Sequence, residues 1–460
     1  MKRIAILTAG GDTPALNATI HGAVERANQL KIEVFGLIKG FNCLFQKKLP
    51  HVHLNPLFAS IPELDPTKGG TILGASRDYV DHSNCLQLDE MVARLRMLGI
   101  EGLICVGGDG TMNGLQPLCE RIPVVLAPKT IDNDLGLNYP FEANHWRRVD
   151  CNEAPGYRYA KSSSPIEFSL DHMVNYVTPG FATAVYVTAS GVERIRTTAE
   201  SHRRIAIIEV MGRHSGYIAL GTAFGQPDII LIPESPINPD LFVEQVMQTY
   251  DLQGNVVIVC GEGIVDQHGC ELGASHATTD PAGNLILSGA SEELRKLLIE
   301  RVGDKFFQRN GRNDSAKSAI FTRKVGHTQR GGRPVYFDRF YAAQLGGQAT
   351  DMLVSNQNNA VATLQWNNKL GFHLASHSGQ EFRDQWGQIH ARNVHPSFYD
   401  AKAMRPSNIG IEYLLPIFSS AIGQDDVEHI RSTLFDAGNL YRQYHSVNVE
   451  INKRIRYLEA

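Results

Sequence analysis

Long apolar runs are missing from this chain of 460 residues. None approaches the ~20 consecutive apolar residues that a bilayer-spanning helix needs, so no membrane segment is expected. A surplus of positive charge is missing too: 44 Lys and Arg stand against 48 Asp and Glu, for a net charge of −4. A general nucleic-acid binder needs a basic field to displace counterions, and that class is excluded. The seven cysteines include no CxxC pair, and an odd one is left over. Cys105 and Cys260 sit in apolar runs, so buried free thiols in a reducing compartment are expected rather than bridges or metal ligands. The opening MKRIAILTAGG lacks the apolar core and small-residue cleavage site of a secretory signal. A cytoplasmic location is the expectation.

What is present is ordinary globular material, 43% hydrophobic and 20% charged. The chain is too long for one small core, which predicts two domains. Short, mostly apolar runs (Ile4–Leu7, Leu103–Val106, Val124–Ala127, Ile205–Val210, Asn255–Cys260) alternate with helical patterns. That alternation is the mark of parallel sheets covered on both faces.

The informative stretch runs from Leu103 to Leu135. A buried strand leads into Gly107-Gly108-Asp109-Gly110-Thr111, then a helix, a second strand, and an acidic loop. The glycines permit positive φ and let backbone N–H groups approach a ligand closely. The helix opening near Thr111 offers an N-terminus suited to phosphate. Asp132 and Asp134 lie two apart and point the same way if the loop is extended. With Asp109 they give three carboxylates at the C-terminal ends of two strands, the hard oxygen ligands of a Mg2+-dependent phosphoryl-transfer site. An ordinary tight turn with solvated acids is the alternative. A first strand also ends in a glycine turn, Gly10-Gly11-Asp12-Thr13, before a helix with Leu16, Ile20, Ala23, Val24 and Ala27 on one side.

GGDGT at 107–111 followed by PKTIDND at 128–134 resembles the phosphofructokinase family. GGDGT alone also resembles NAD kinases and diacylglycerol kinases; the TIDND loop at this distance is more specific. Further matches are GGDTP at 10–14, GGTILGASR at 69–77, SHRRIAIIEVMGR at 201–213 and GHTQRGG at 326–332. The resemblance covers most of residues 1–365. It implies two similar three-layer α/β domains with mostly parallel sheets. Residues 1–135 and about 335–425 would form the donor domain, 136–334 the sugar-phosphate domain with an insert at 136–177, and 426–460 a helical tail. The insert is expected to be a lid or a subunit contact, and a charged helix is expected near Asp425–Tyr444.

The resemblance also implies the site. Gly11, Arg77, Gly108, Asp109, Gly110, Thr111 and Gly114 would hold the phosphoryl donor. Asp132, Lys129, Thr130 and Asp134 would form the catalytic set, with Asp132 taking the proton from a sugar 1-hydroxyl and Mg2+ on Asp109 and Asp134. Thr130, Asp132, Arg204, Met211, Gly212, Arg213, Glu262, His327 and Arg330 would bind fructose 6-phosphate, with Arg204 reaching a neighbouring subunit of a homodimer or homotetramer. Arg203, His214 and Arg333 add to a basic set assigned to the second domain, several of which could converge there.

Three departures stand out: Ala182 replaces an aspartate of a GFDTA segment, Phe321 replaces an arginine with Arg323 two residues on, and the insert is long. The donor signal is mixed. Glycine at 110 leaves room for the α-phosphate of ATP, whereas pyrophosphate-using relatives typically carry aspartate there and lysine at the place of Lys129. ATP is expected, with pyrophosphate, another ketose phosphate as acceptor, and a non-catalytic regulatory subunit as alternatives.

Overall fold

The computed structural model describes residues 1–76, 78, 84–150, 156–162, 169–273, 278–279, 285–286, 289–309 and 315–459. The first domain opens with β1 (Arg3–Thr8), β2 (Glu33–Leu37), β3 (His51–His53), β4 (Gly102–Gly107) and β5 (Val124–Pro128). A hairpin, β6 (Trp146–Asp150) and β7 (Tyr157–Lys161), follows. The second domain supplies β8 (Ile205–Val210), β9 (Ile229–Leu231), β10 (Val256–Gly261) and β11 (Ile320–Lys324). The chain then returns with β12 (Ala360–Asn367) and β13 (Gly371–Ser378).

The first sheet has seven strands in the order β13-β12-β5-β4-β1-β2-β3. Its inner strands are parallel, with Ala5 opposite Leu103 and Cys105 opposite Leu126. Only the edges β3 and β13 run antiparallel. The second sheet has four parallel strands, β11-β8-β10-β9. Helices cover both faces, which is why β1, β4, β8 and β10 are apolar almost throughout. Glu209 is the exception inside β8; its buried carboxylate accepts from the Ser291 N–H at 3.1 Å and pairs with Lys324 at 2.9 Å. A buried charge held this way escapes most of its desolvation penalty.

The helix Tyr336–Val354 crosses from the second domain to the first and lies on the helix Leu16–Leu30. Two glycines set that contact. A Cβ at Gly22 would stand 1.9 Å from the Ala343 carbonyl oxygen, and one at Gly346 would stand 2.0 Å from that of Thr19. The backbones therefore touch, which no larger residue allows.

Within the insert, β6 and β7 pack on the chain's own C-terminal segment. Trp146 stacks on His390 with ring centres 4.0 Å apart, and the Arg148 guanidinium lies over Trp386 at 4.8 Å. The charged helix expected near Asp425–Tyr444 is formed only over the first half of that range. Helix covers Gln424–His429, a wider π turn follows over Ile430–Leu434, and a short 3-10 turn spans Ala437–Leu440. Leu434, Phe435, Tyr441 and Tyr444 remain exposed there, so no apolar stripe is buried to hold one helix together. The tail instead contains the helices Asn408–Phe418 and Val447–Arg454, and Arg456 pairs with His51 at the edge of the first sheet.

Six cysteines are described, all free, with Cys43, Cys105, Cys119 and Cys260 buried. Cys151 lies outside the described residues. Among the described residues no helix is long and apolar enough to cross a membrane.

Candidate active site

Two glycine turns meet at the C-terminal ends of β1 and β4. Gly10 has φ +80°, reversing the chain after β1. At Gly107 a Cβ would come within 2.0 Å of Thr111 Oγ1, so glycine alone lets the next helix fold back over the strand end. That helix begins at Asp109, two residues before Thr111, with a carboxylate in its first turn where the macrodipole favours it. Asp109 Oδ1 accepts from the Gly110 N–H at 2.7 Å. The Cβ position of Gly108 lies 3.6 Å from the Lys129 carbonyl oxygen, while that of Gly110 meets nothing within 4 Å. Thr111 Oγ1 is enclosed without a partner. Gly114 lies farther along the helix, its Cβ position 3.4 Å from the ring of Phe41.

Lys129 follows β5 and turns under this pair of loops. It is 3% exposed, and its Nζ donates to the Gly11 carbonyl. Burial pulls its pKa down to about 8, with Arg330 adding to the shift and Asp12 opposing it. Arg77 lies outside the described residues.

The acidic loop comes next. Thr130 pairs with Gly180 across the domain boundary, and its Oγ1 accepts from the Asp132 N–H at 3.1 Å. Asn133 takes a left-handed conformation, φ +56°. Oδ1 of Asp132 and Oδ1 of Asp134 are both enclosed without a partner. Burial raises the pKa of Asp132, with Arg330 opposing and Asp109 reinforcing the shift. Asp134 is raised well above the usual carboxylate range by burial and by the charges of Asp109 and Asp132. Like charges facing one another, with unpartnered oxygens, suit a divalent cation. Among the described residues no three His, Cys, Asp or Glu side chains gather as a metal cage. Mg2+ needs none, since it commonly takes one or two carboxylates and completes its shell with phosphate and water. Asp109 and Asp134 fit that use.

The residues expected to bind the sugar phosphate gather where β8 and β10 stop. Met211-Gly212-Arg213 turns sharply: Gly212 has φ +115°, and a Cβ there would stand 2.5 Å from the Ser215 carbonyl oxygen. Gly263 lies directly on the Arg213 backbone, its Cβ position 1.8 Å from the carbonyl oxygen. The Met211 N–H donates to Gln329 at 3.3 Å, which ties this turn to the one carrying His327 and Arg330. Glu262 is pushed up to about 7 by burial and by Asp132 and Glu209, against the pull of Arg330 and Arg213.

Arg330 crosses the domain boundary. Its Nη1 would stand 2.7 Å from a Cβ at Gly11 and donates to the Asp12 carbonyl at 3.4 Å. It thus touches the donor loop while its field acts on Asp132 and Glu262. His327 is exposed.

The basic set converges only in part: Arg213 and Arg330 both act on Glu262, whereas Arg204 and Arg333 lie elsewhere. Arg204 precedes β8, at the opposite end of that strand from Met211 and about 20 Å away at ~3.3 Å per residue. Arg333 pairs with Asp425 and Asp426 at 2.8 and 3.3 Å. Phe321 sits in β11 opposite Ala206, and Arg323 is exposed with its guanidinium over the Phe321 ring. Ala182 is fully buried, and a carboxylate reaches that helix start from elsewhere. Asp338 accepts from Thr183 N and Oγ1 at 2.7 and 2.6 Å.

Sequence reasoning missed the groups behind the acidic loop. Arg392, Tyr413 and Ser215 bond its backbone or side chains from β-strand-free segments. Arg392 and Tyr413 belong to no motif, and only their burial in the fold reveals them.

Glycine turns at parallel strand ends, a buried lysine and a carboxylate loop between two domains define a phosphotransferase of the α/β class. The Phosphofructokinase family model matches residues 3–138 and 169–353, and the chain belongs to that family. It is 32% identical over 368 residues to a pyrophosphate–fructose 6-phosphate 1-phosphotransferase of Amycolatopsis methanolica, covering 79% of this chain and 90% of the relative. It is 31% identical over 368 residues to an ATP-dependent 6-phosphofructokinase of Thermus thermophilus, covering 78% and 89%. A crystal structure of a pyrophosphate-dependent phosphofructokinase from Marinobacter aquaeolei shares the fold, with a TM-score of 0.68 at 17% identity over 92% of each chain.

Proposed function

We propose that this chain is a 6-phosphofructokinase that transfers the terminal phosphoryl group of ATP to the 1-hydroxyl of fructose 6-phosphate. The observation that carries the reading is the Asp132 carboxylate. It has an enclosed, unpartnered oxygen and a raised pKa, and it feels Lys129 from the donor side and Arg330 from the sugar side. A carboxylate so placed is a general base for a hydroxyl held between the domains. The 1-hydroxyl oxygen forms the new P–O bond, its proton passes to Asp132, and the bond to the departing ADP oxygen breaks.

Gly11, Gly108 and Thr111 offer backbone N–H groups and a hydroxyl to the donor phosphates, Gly110 leaves open space for them, Gly114 keeps the helix slim and Arg77 is added by resemblance. Lys129 supplies positive charge beside the transferred group, and Thr130 holds the loop. Asp109 and Asp134 would hold Mg2+, which when bound neutralises charge on the phosphoryl oxygens. Met211, Gly212, Arg213, Glu262, His327 and Arg330 hold the sugar phosphate. Arg204 is too far along β8 to serve its own chain's site, which favours a homodimer or homotetramer. A cytoplasmic location accords with the four buried free thiols.

ATP is preferred because the space beside Gly110 is open and a side chain there would occupy it. One observation favours pyrophosphate instead: the buried cation of Lys129 would suit a donor made only of phosphates. Purified protein assayed for fructose 1,6-bisphosphate with each donor separates the two readings.

A further inference from the structure

The Asp132 loop is held only in part by residues that the family model matches, among them Ser215 and Thr178. Its backbone is held as well from the C-terminal segment, well past residue 353 where that match ends. Arg392 is 2% exposed. Its Nε and Nη2 donate to the Asn133 carbonyl at 3.2 and 2.8 Å, and its own N–H donates to the Asp134 carbonyl at 2.6 Å. Nη1 donates to the Asn175 carbonyl at 2.7 Å, and Nη2 also to that of Tyr176 at 3.3 Å. Gly136 makes room, since a Cβ there would stand 2.5 Å from Nη1.

The same short segment grips the sugar turn. Ser215 Oγ donates to the Arg392 carbonyl at 2.9 Å, Asn393 Nδ2 to that of His214 at 2.6 Å, and the Val394 N–H to Glu234 at 2.6 Å. Glu234 also accepts from the Gly216 N–H at 2.9 Å. Behind the loop, Asn133 Nδ2 donates to the Tyr413 hydroxyl at 2.5 Å, and that hydroxyl donates to the Tyr176 carbonyl at 3.0 Å.

A left-handed Asn133 between two carboxylates that repel each other does not hold its own geometry; something must anchor its carbonyl. A guanidinium with several donors in a rigid plane does this better than any neutral group. Among the described residues no carboxylate pairs with Arg392; its charge faces the carbonyls of this loop and of the segment beside it, and the ring of Tyr217 at 5.1 Å.

We propose that Arg392 is a positioning residue. It fixes Asp132 relative to the sugar turn, with Tyr413 as its support, and so makes the C-terminal segment part of the active site. The inference rests on Asp132 as the base. Misplacing a reacting group by about 1 Å costs on the order of 10²-fold. Arg392→Met, which keeps bulk and removes the donors, should lower kcat by about 10²-fold and leave both KM values within about threefold. In an Asp132→Asn background the same substitution should cost less than about threefold, because there is no base left to position.

If Arg392→Met does not fold, Tyr413→Phe serves. It should lower kcat about 10-fold with the same loss of effect in the Asp132→Asn background. An unchanged kcat, or an equal loss in both backgrounds, would overturn the inference while leaving Asp132 as base. Full kcat in Asp132→Asn alone would instead overturn the base assignment, and this inference with it.

Discussion

Arg330 closes over Gly11. The guanidinium of a residue from the second domain's GHTQR turn occupies the ground in front of the first domain's glycine turn, 2.7 Å from where a Cβ would be. With the donor and the sugar phosphate bound as proposed, this contact would couple the two through one cation. Arg330→Met should therefore raise the KM for the donor as well as for the sugar phosphate, each by about 10-fold or more, as loss of a charge-assisted contact implies. Initial-rate kinetics with each substrate varied in turn checks this; a change confined to the sugar phosphate counts against the coupling.

Asp132→Asn should fold normally, bind both substrates and lose about 10²–10⁴-fold in kcat, the range of a removed general base. Thermal unfolding beside steady-state kinetics distinguishes this from a loss of structure.

Lys129 predicts an alkaline limit for the reaction. Its pKa is down to about 8 in the free protein, so it is charged below that pH and loses its proton above it. If the charge assists donor binding, kcat/KM for the donor should fall as pH rises through about 8. Lys129→Arg, charged throughout the range, should abolish that fall. A wild-type profile flat to pH 9.5 would remove the lysine from donor binding.

The contact between the helices Leu16–Leu30 and Tyr336–Val354 makes a stability prediction. Gly22→Val forces a side chain onto the Ala343 carbonyl, and overpacking of this kind costs about 1–3 kcal/mol or more. Denaturant titration should show it, with kcat per folded molecule little changed.

Much of this was legible in the residues, for physical reasons that differ by element. Ile205–Val210 could be delimited because a mostly apolar run is bounded by Arg204 on one side and by the turn at Gly212 on the other. The GGDGT and TIDND loops are legible because glycine and aspartate at fixed spacing are hard to use otherwise. β13 was not foreseen: GFHLASHS alternates weakly, and as an antiparallel edge strand it is half exposed. The tail was read too far because Asp425–Tyr444 mixes charge and apolar residues as a surface helix does; Asp425 and Asp426 anchor its start on Arg333 and Arg339, but Leu434, Phe435, Tyr441 and Tyr444 stay exposed. Arg392 carries no local signature, because its task depends on which carbonyls the fold brings around it. Arg333 is the converse, a basic residue near the GHTQRGG motif that the fold commits to Asp425 and Asp426.

The donor is the most direct test of the whole account. Gly110 leaves the space beside the donor loop open, so Gly110→Asp should fold as wild type and lose most of its activity with ATP. The decisive measurement is fructose 1,6-bisphosphate formation by the unmodified protein with ATP and with pyrophosphate, side by side at saturating fructose 6-phosphate and Mg2+. Robust turnover with ATP and little with pyrophosphate is expected. Robust turnover with pyrophosphate and none with ATP would contradict it.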